Sequence, residues 1–207
     1  ARAPLGQAPL GLTLRGVTNA SGDVGVDVLR TVTLPLMRHF GLSEGLSLQV
    51  NKRGAPPLGG GEVHVQAQIV RELTPCDLTE TGRVKRVRGV AYGTKVSPQI
   101  CNRLVDSSPA VLDHVRPDGC VYPDAFKGKT SGNSPGFALT LVAETTSGAL
   151  LSAEAVGAAG VLPEEVGTQA AEALLQQVKE AGTLDAANQP LALMLMALGP
   201  EDVSRLR

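Results

Sequence analysis

Arg53-Gly54-Ala55-Pro56-Pro57-Leu58-Gly59-Gly60-Gly61-Glu62-Val63 places a cation, two prolines and three consecutive glycines between two apolar alternations. Glycine loses more backbone freedom on folding than any other residue. Three in succession therefore mark a place where φ must be positive or where another group comes close to the main chain. Pro56 and Pro57 stiffen the approach, and Arg53 offers a planar fork of donors suited to a phosphate. Residues 46–52 and 62–70 alternate apolar and polar side chains on either side of this stretch, the period of a half-buried strand. The segment reads first as a shaped hairpin loop, with Gly59, Gly60 and Gly61 at its turn.

Working outward, residues 10–14 alternate as a strand, and residues 24–40 carry apolar side chains at helical spacing until Gly41 supplies a stop. The order β-α-β-β predicts a helix laid on a sheet. A second unit begins near Asp77, with a strand over 84–95, a helix over 98–114, and a hairpin of 137–144 with 149–155 around Thr146-Ser147-Gly148. Pro163 stands in the first turn of a helix running to Glu180, where Glu164 and Glu165 complement the N-terminal dipole. Residues 191–198 are wholly apolar and read as a buried helix, although a run of this length also suits a strand. The fold class is α/β in the broad sense, with α+β segregation.

The order Arg-Gly-x-x-Pro-x-Gly-Gly-Gly-x-Val resembles the signature of the RNA 3′-terminal phosphate cyclase family, and further blocks follow in the family's order. These are Leu14-Arg15-Gly16-Val17-Thr18-Asn19, Lys85-Arg86-Val87-Arg88-Gly89-Val90-Ala91-Tyr92, Ser134-Pro135-Gly136-Phe137 and Leu162-Pro163-Glu164-Glu165-Val166-Gly167. Gly16-Val17-Thr18, where true cyclases usually have Gly-Gly-Thr, and Asn188-Gln189-Pro190-Leu191 are more similar to the cyclase-like branch linked to ribosome biogenesis. The resemblance implies repeated β-α-β-α-β-β core units, here residues 1–76 and 157–207, interrupted by a small inserted α/β domain at residues 77–156. It also implies an incomplete chain that lacks an N-terminal and a C-terminal repeat. Such a chain is expected to expose apolar faces and to fold poorly alone. The nucleophilic histidine of true cyclases lies outside the matching segment, and the cyclase-like branch lacks it.

Composition narrows the function further. A 207-residue chain with 43% hydrophobic residues is globular and can build one substantial core or two small ones. Three Phe, two Tyr and no Trp leave few platforms for stacking bases. A formal charge of −1 argues against coating nucleic acid by bulk electrostatics, so RNA contact must come from a local basic patch. Cys76, Cys101 and Cys120 are odd in number and too widely spaced for a zinc pair, and they read as reduced thiols. No apolar run approaches the length of a membrane span.

Few residues carry chemistry. His39 and His114 stand at helix ends, where capping is favoured over catalysis, and His64 alternates outward from its strand. Gly128-Lys129-Thr130 imitates the tail of a phosphate loop, but Pro123 occupies the place of the required earlier glycine. Asp23, Asp27, Asp106 and Asp113 read as separate solvated acids. Arg83, Lys85, Arg86 and Arg88 form the densest cationic cluster, either an edge strand guarded by charge or an RNA or protein contact. Arg15, Lys52 and Arg53, with Gly59, Gly60 and Gly61, are expected together at one end of the first sheet. No catalytic residue, metal site or cofactor is expected.

The resemblance implies a non-catalytic factor of small (40S) ribosomal-subunit biogenesis and pre-rRNA processing within the small-subunit processome, in the nucleus and nucleolus. Its implied partners are pre-ribosomal RNA, a small nucleolar ribonucleoprotein and a nucleolar GTPase, with no membrane and no small-molecule substrate. Two alternatives stay open: an ATP-dependent RNA 3′-terminal phosphate cyclase, and a pre-rRNA endonuclease.

Overall fold

The computed structural model describes residues 8–107, 112, 119–180 and 182–207. The first unit opens with β1 (Leu10–Gly16), followed by a helical stretch in three pieces: α1 (Val26–Val28), a π turn (Leu29–Thr33) and α2 (Leu34–His39). Pro35 has no N–H to return to Thr31, and the helix widens into the π turn just before it. β2 (Ser47–Lys52) and β3 (Gly61–Ala67) follow, and β3 lies between β1 and β2 in an antiparallel sheet. The strands read on either side of the glycine segment are thus present and paired with each other.

The short strand β4 (Asp77–Leu78) leads to a second sheet formed by β5 (Val84–Thr94), β6 (Gly119–Phe126), β7 (Gly136–Thr145) and β8 (Leu150–Val156), in the order β6-β5-β7-β8. Helix α3 (Pro98–Ser107) connects β5 to β6, which runs parallel to it. Two further helices, α4 (Pro163–Lys179) and α5 (Gln189–Leu198), precede β9 (Arg205–Leu206), which pairs with β4. The mixed α/β architecture agrees with the expected class. Residues 191–198 are helical, and the hairpin of β7 and β8 turns where Thr146-Ser147-Gly148 places it.

Two expectations need correction. β5 is not an edge strand, because β6 and β7 flank it on both sides. β6 itself was not anticipated: Pro123 argues against a strand, and the structure reconciles the two by placing β6 at the sheet edge. The helix expected over 98–114 is described through Ser107; His114 and Asp113 lie outside the described residues.

Each sheet has its own core. Val87, Ala91, Leu139, Leu141, Leu151 and Ala153 face one side of the second sheet and pack against Leu104 of α3 and Val166, Ala170 and Leu174 of α4. By contact, α4 therefore belongs with the second sheet, and that packed unit runs past Val156. The first unit's core joins Leu34, Leu36, Phe40, Leu42 and Leu73 to Ala192 and Leu195 of α5. A buried polar string links the two cores: Thr33 Oγ1 donates to Asn188 Oδ1 (2.6 Å), Asn188 Nδ2 to Asp185 Oδ1 (2.7 Å), and the Ser152 main-chain N–H to Asp185 Oδ2 (3.0 Å).

The glycine turn is clasped from two sides. Thr18 N–H donates to the Gly54 carbonyl (2.8 Å), Asn133 N–H to the Gly59 carbonyl (2.8 Å) and Leu58 N–H to Ser134 Oγ (3.0 Å). Gly59 and Gly60 have φ of 58° and 82°. A Cβ on Gly60 would lie 2.7 Å from the Asn133 side chain. Gly60→Ala is expected to lower stability by roughly 1–3 kcal/mol through the left-handed backbone and this contact, as read by urea unfolding; an unchanged midpoint would refute the clasp.

Candidate functional site

The end of β2 delivers Arg53 into the space between the two sheets, where its side chain has no exposed surface. Arg53 Nη1 donates to Asp27 Oδ2 (2.5 Å) and Nη2 to Asp27 Oδ1 (2.8 Å), a two-pronged match of guanidinium to carboxylate. Nη2 also meets Asp124 Oδ2 of β6 at 3.2 Å. The guanidinium carbon stands 4.9 Å from the centre of the Tyr92 ring and 5.5 Å from that of Phe126, within reach of cation–π attraction. Burial works against the charge, but hydrogen bonding and Coulomb attraction from Asp27 outweigh it and hold the Arg53 pKa above its ordinary value.

Arg53 is therefore an internal cation whose counter-ions are supplied by the chain, and the reading of it as an exposed phosphate fork is corrected. The same holds for Asp27, read from sequence as a solvated acid and found fully buried. Gly59, Gly60 and Gly61 receive residues 16–18 and 132–133 of their own chain where an approaching phosphate was envisaged. Arg15 and Lys52 do come together, facing Glu62 from the two neighbouring strands. Arg15 Nε donates to Glu62 Oε2 at 3.0 Å, and bonds from Arg15 and Asn51 hold the Glu62 carboxyl below its usual range.

Beside Arg53 lies a second acid, half-buried. Glu154 of β8 accepts hydrogen bonds from Asn19 Nδ2 (2.5 Å), Thr140 Oγ1 (2.8 Å) and the Gly25 main-chain N–H (3.0 Å). Desolvation nonetheless raises its pKa, because the three donors only partly replace water. Among the described residues, Arg53 Nε and the Tyr92 hydroxyl are buried without a hydrogen-bond partner.

The outer face of the second sheet continues from this cluster in cross-strand rows. Asp124 and Tyr92 form one row, Tyr122, Val90, Thr140 and Glu154 the next, then Cys120, Arg88, Val142 and Ser152, and finally Arg86, Glu144 and Leu150. Glu144 gathers the basic cluster: Arg86 Nε reaches its Oε2 at 2.6 Å, Arg88 Nη2 the same oxygen at 3.0 Å, and Lys85 Nζ lies 4.0 Å from Oε1. The hydrogen bond from Arg86 leads the effects that hold Glu144 below the usual carboxylate range. Arg83 is exposed, and its main chain pairs with Thr146 in the loop after β7. The two basic groups expected from sequence thus occupy separate sheets.

His64 shares a hydrogen bond with Thr13 Oγ1 (3.2 Å) on the exposed face of the first sheet, and Gly128–Thr130 forms a single 3-10 turn. The cysteines are free, and among the described residues no group of His, Cys, Asp and Glu is arranged to hold a metal. No helix among them is long and apolar enough to cross a membrane. Sequence reasoning missed Arg30, Asp27, Tyr122, Asp124 and Glu154 as members of one region. The available signal was an acid within an apolar run, as in Val26-Asp27-Val28 and Ala153-Glu154-Ala155.

Residues 79–179 match the model of the RNA 3′-terminal phosphate cyclase (RTC) insert domain. The chain belongs to the RNA 3′-terminal phosphate cyclase family. It is 48% identical over 210 residues to a human RNA 3′-terminal phosphate cyclase-like protein, covering 99% of this chain and 56% of that one. It is 46% identical to an rRNA processing protein of Schizosaccharomyces pombe, covering 97% of this chain and 56% of that one. An rRNA processing protein of Saccharomyces cerevisiae is 36% identical, with 99% and 56% covered. The chain spans about half the length of these relatives.

Arg53→Ala would leave Asp27 buried with, among the described residues, only Arg30, at 3.2 Å, as a cationic partner. A loss of about 3–5 kcal/mol is expected in urea unfolding, against less than about 1 kcal/mol for Arg15→Ala at the surface; equal effects would remove Arg53 from its central position. Glu154 has a raised folded-state pKa, so its protonation favours folding, and that contribution is present at acid pH and lost as pH rises through the folded pKa. In Glu154→Gln, stability is expected to fall less steeply between acid and neutral pH than in the unmodified protein, measured by unfolding across that range; parallel profiles would contradict the assignment.

Proposed function

We propose that this chain is a non-catalytic cyclase-like factor in small (40S) ribosomal-subunit biogenesis, acting in pre-rRNA processing within the small-subunit processome. The observation that carries the reading is similarity along 97% or more of the chain to proteins named for rRNA processing. On this reading the protein works in the nucleus, in the nucleolus, and holds pre-ribosomal RNA together with a small nucleolar ribonucleoprotein and a nucleolar GTPase. The charge pattern supports a holding role. Arg15 and Lys52 on one sheet, and Arg83, Lys85, Arg86 and Arg88 on the other, form two local cationic sites on a chain of nearly balanced charge. Arg53 and its acids are committed to each other, which favours an inherited fold used as a scaffold.

The test is affinity purification of the intact protein from cells, with sequencing of the RNA and identification of the proteins recovered. Precursor rRNA, the small nucleolar RNA that guides its processing and a nucleolar GTPase are expected, with recovery reduced in a Lys85→Ala/Arg86→Ala/Arg88→Ala variant. Recovery of none of them, together with ATP-dependent cyclisation of a 3′-phosphorylated RNA, would assign the chain to the enzymatic branch. Cleavage of precursor rRNA by the same preparation would assign it to the endonucleases.

A further inference from the structure

Between the helix that contains α1 and the outer face of the second sheet lies a pocket of about 570 Å³, within the range of small-ligand sites, roughly 300–1,000 Å³. Its floor is apolar and flat, made by Gly89, Val90, Val142 and Leu150. Gly89 offers only main chain to the pocket, because its side-chain direction points to Leu141 in the core on the other face of the sheet. Three guanidiniums line the walls: Arg30 from the π turn, and Arg86 and Arg88 from β5. The acids among them are already matched. Asp27 is shared by the buried Arg53 and by Arg30, whose Nη2 reaches its Oδ1 at 3.2 Å, and Glu144 is a single carboxylate shared by Arg86, Arg88 and the nearby Lys85. Positive charge is therefore in excess at this pocket. Arg86 gives Glu144 one N–H and Arg88 gives it another. Most of the five donors on each remain for a ligand.

Opposite Arg88, one row along the sheet, Tyr122 also lines the pocket. Phe40 and Tyr92 are fully buried and Phe126 and Phe137 half-buried, so Tyr122, at 57% exposure, is the chain's one exposed aromatic ring. A cationic wall beside an open ring over an apolar floor fits a planar base joined to a phosphate. An acidic peptide would use the arginines but has no need of the ring.

We propose that this pocket holds one nucleotide, its phosphate against Arg86, Arg88 and Arg30 and its base against Tyr122, and that single-stranded RNA supplies it. The second half of this proposal rests on the rRNA-processing role. It adds Arg30 and Tyr122 to the basic cluster and reconciles RNA binding with a chain poor in aromatic residues, since one ring suffices for one base.

The probes are a fluorescent oligouridylate and free AMP, titrated against the full chain at low salt. Tyr122→Ser and Arg86→Ala/Arg88→Ala are each expected to weaken oligouridylate binding roughly tenfold or more. Tyr122→Phe should bind as the unmodified protein does, and so should Arg103→Ala, whose side chain pairs with Glu164 at the surface away from both cationic sites. All the altered side chains are substantially exposed or half-buried, and thermal melting checks that each variant folds. Photocrosslinking with thiouridine-substituted oligouridylate is expected to label Tyr122. Oligouridylate binding that is lost in Arg15→Ala/Lys52→Ala yet unchanged in the pocket variants would overturn the pocket and leave the RNA role standing. AMP binding lost with Tyr122→Ser, without any oligouridylate binding, would uphold a nucleotide pocket and overturn RNA as its source. Failure of both probes, or displacement by polyglutamate that is insensitive to Tyr122→Ser, would overturn the proposal.

Discussion

A guanidinium with no access to water sets the relation between the two sheets of this protein. Arg53 leaves the end of β2, takes both oxygens of Asp27 from α1 and reaches Asp124 on β6, with Tyr92 and Phe126 on either side. Removing such ions from water is costly, and only a full set of partners offsets the loss. The planar fork makes that set directional, so it tolerates one arrangement of helix, sheet and turn. The glycine segment serves this arrangement. Gly61 lies against Thr18 and Gly54, and Gly132 against the Arg53 and Gly59 main chain, so that backbone from three parts of the sequence can converge around the arginine.

Outside this buried centre, charge is arranged in the opposite sense. At the far end of the same sheet face a single carboxylate, Glu144, is surrounded by Lys85, Arg86 and Arg88, all partly exposed. One region spends its cation entirely on the fold, while the other keeps cations in excess over their acid. That contrast explains how a chain with a formal charge of −1 can present a local positive surface. The Tyr122 row runs between the two and ends at Glu154, so the rigid polar cluster and the open pocket share a floor.

Much of the fold was legible because its signals are local. The period-two alternation on both sides of the glycines gave β2 and β3, Thr146-Ser147-Gly148 located the β7–β8 turn, and Pro163 with its two following glutamates marked the start of α4. What stayed hidden depends on residues far apart. The parallel pairing of β6 with β5 leaves no local pattern, and Pro123 obscured it. Arg53 and Asp27 are 26 residues apart and Arg53 and Asp124 are 71 apart, so their burial could not be read from either neighbourhood. The collinear family blocks were visible. They marked Arg53 as important without distinguishing a ligand contact from a structural one.

The two hydrophobic cores also differ in when they can form. The core of the second sheet is drawn entirely from residues within 79–179. That of the first sheet needs Ala192 and Leu195 from the last helix, and Thr33 must find Asn188, 155 residues away. On a chain emerging from the ribosome N-terminus first, the earlier-made sheet is therefore completed later. The inserted module can close as an independent nucleus while residues 34–76 wait for α5. Order of synthesis and order of consolidation run in opposite directions, and the exposed α2 face is the surface that must be kept from other chains in the interval.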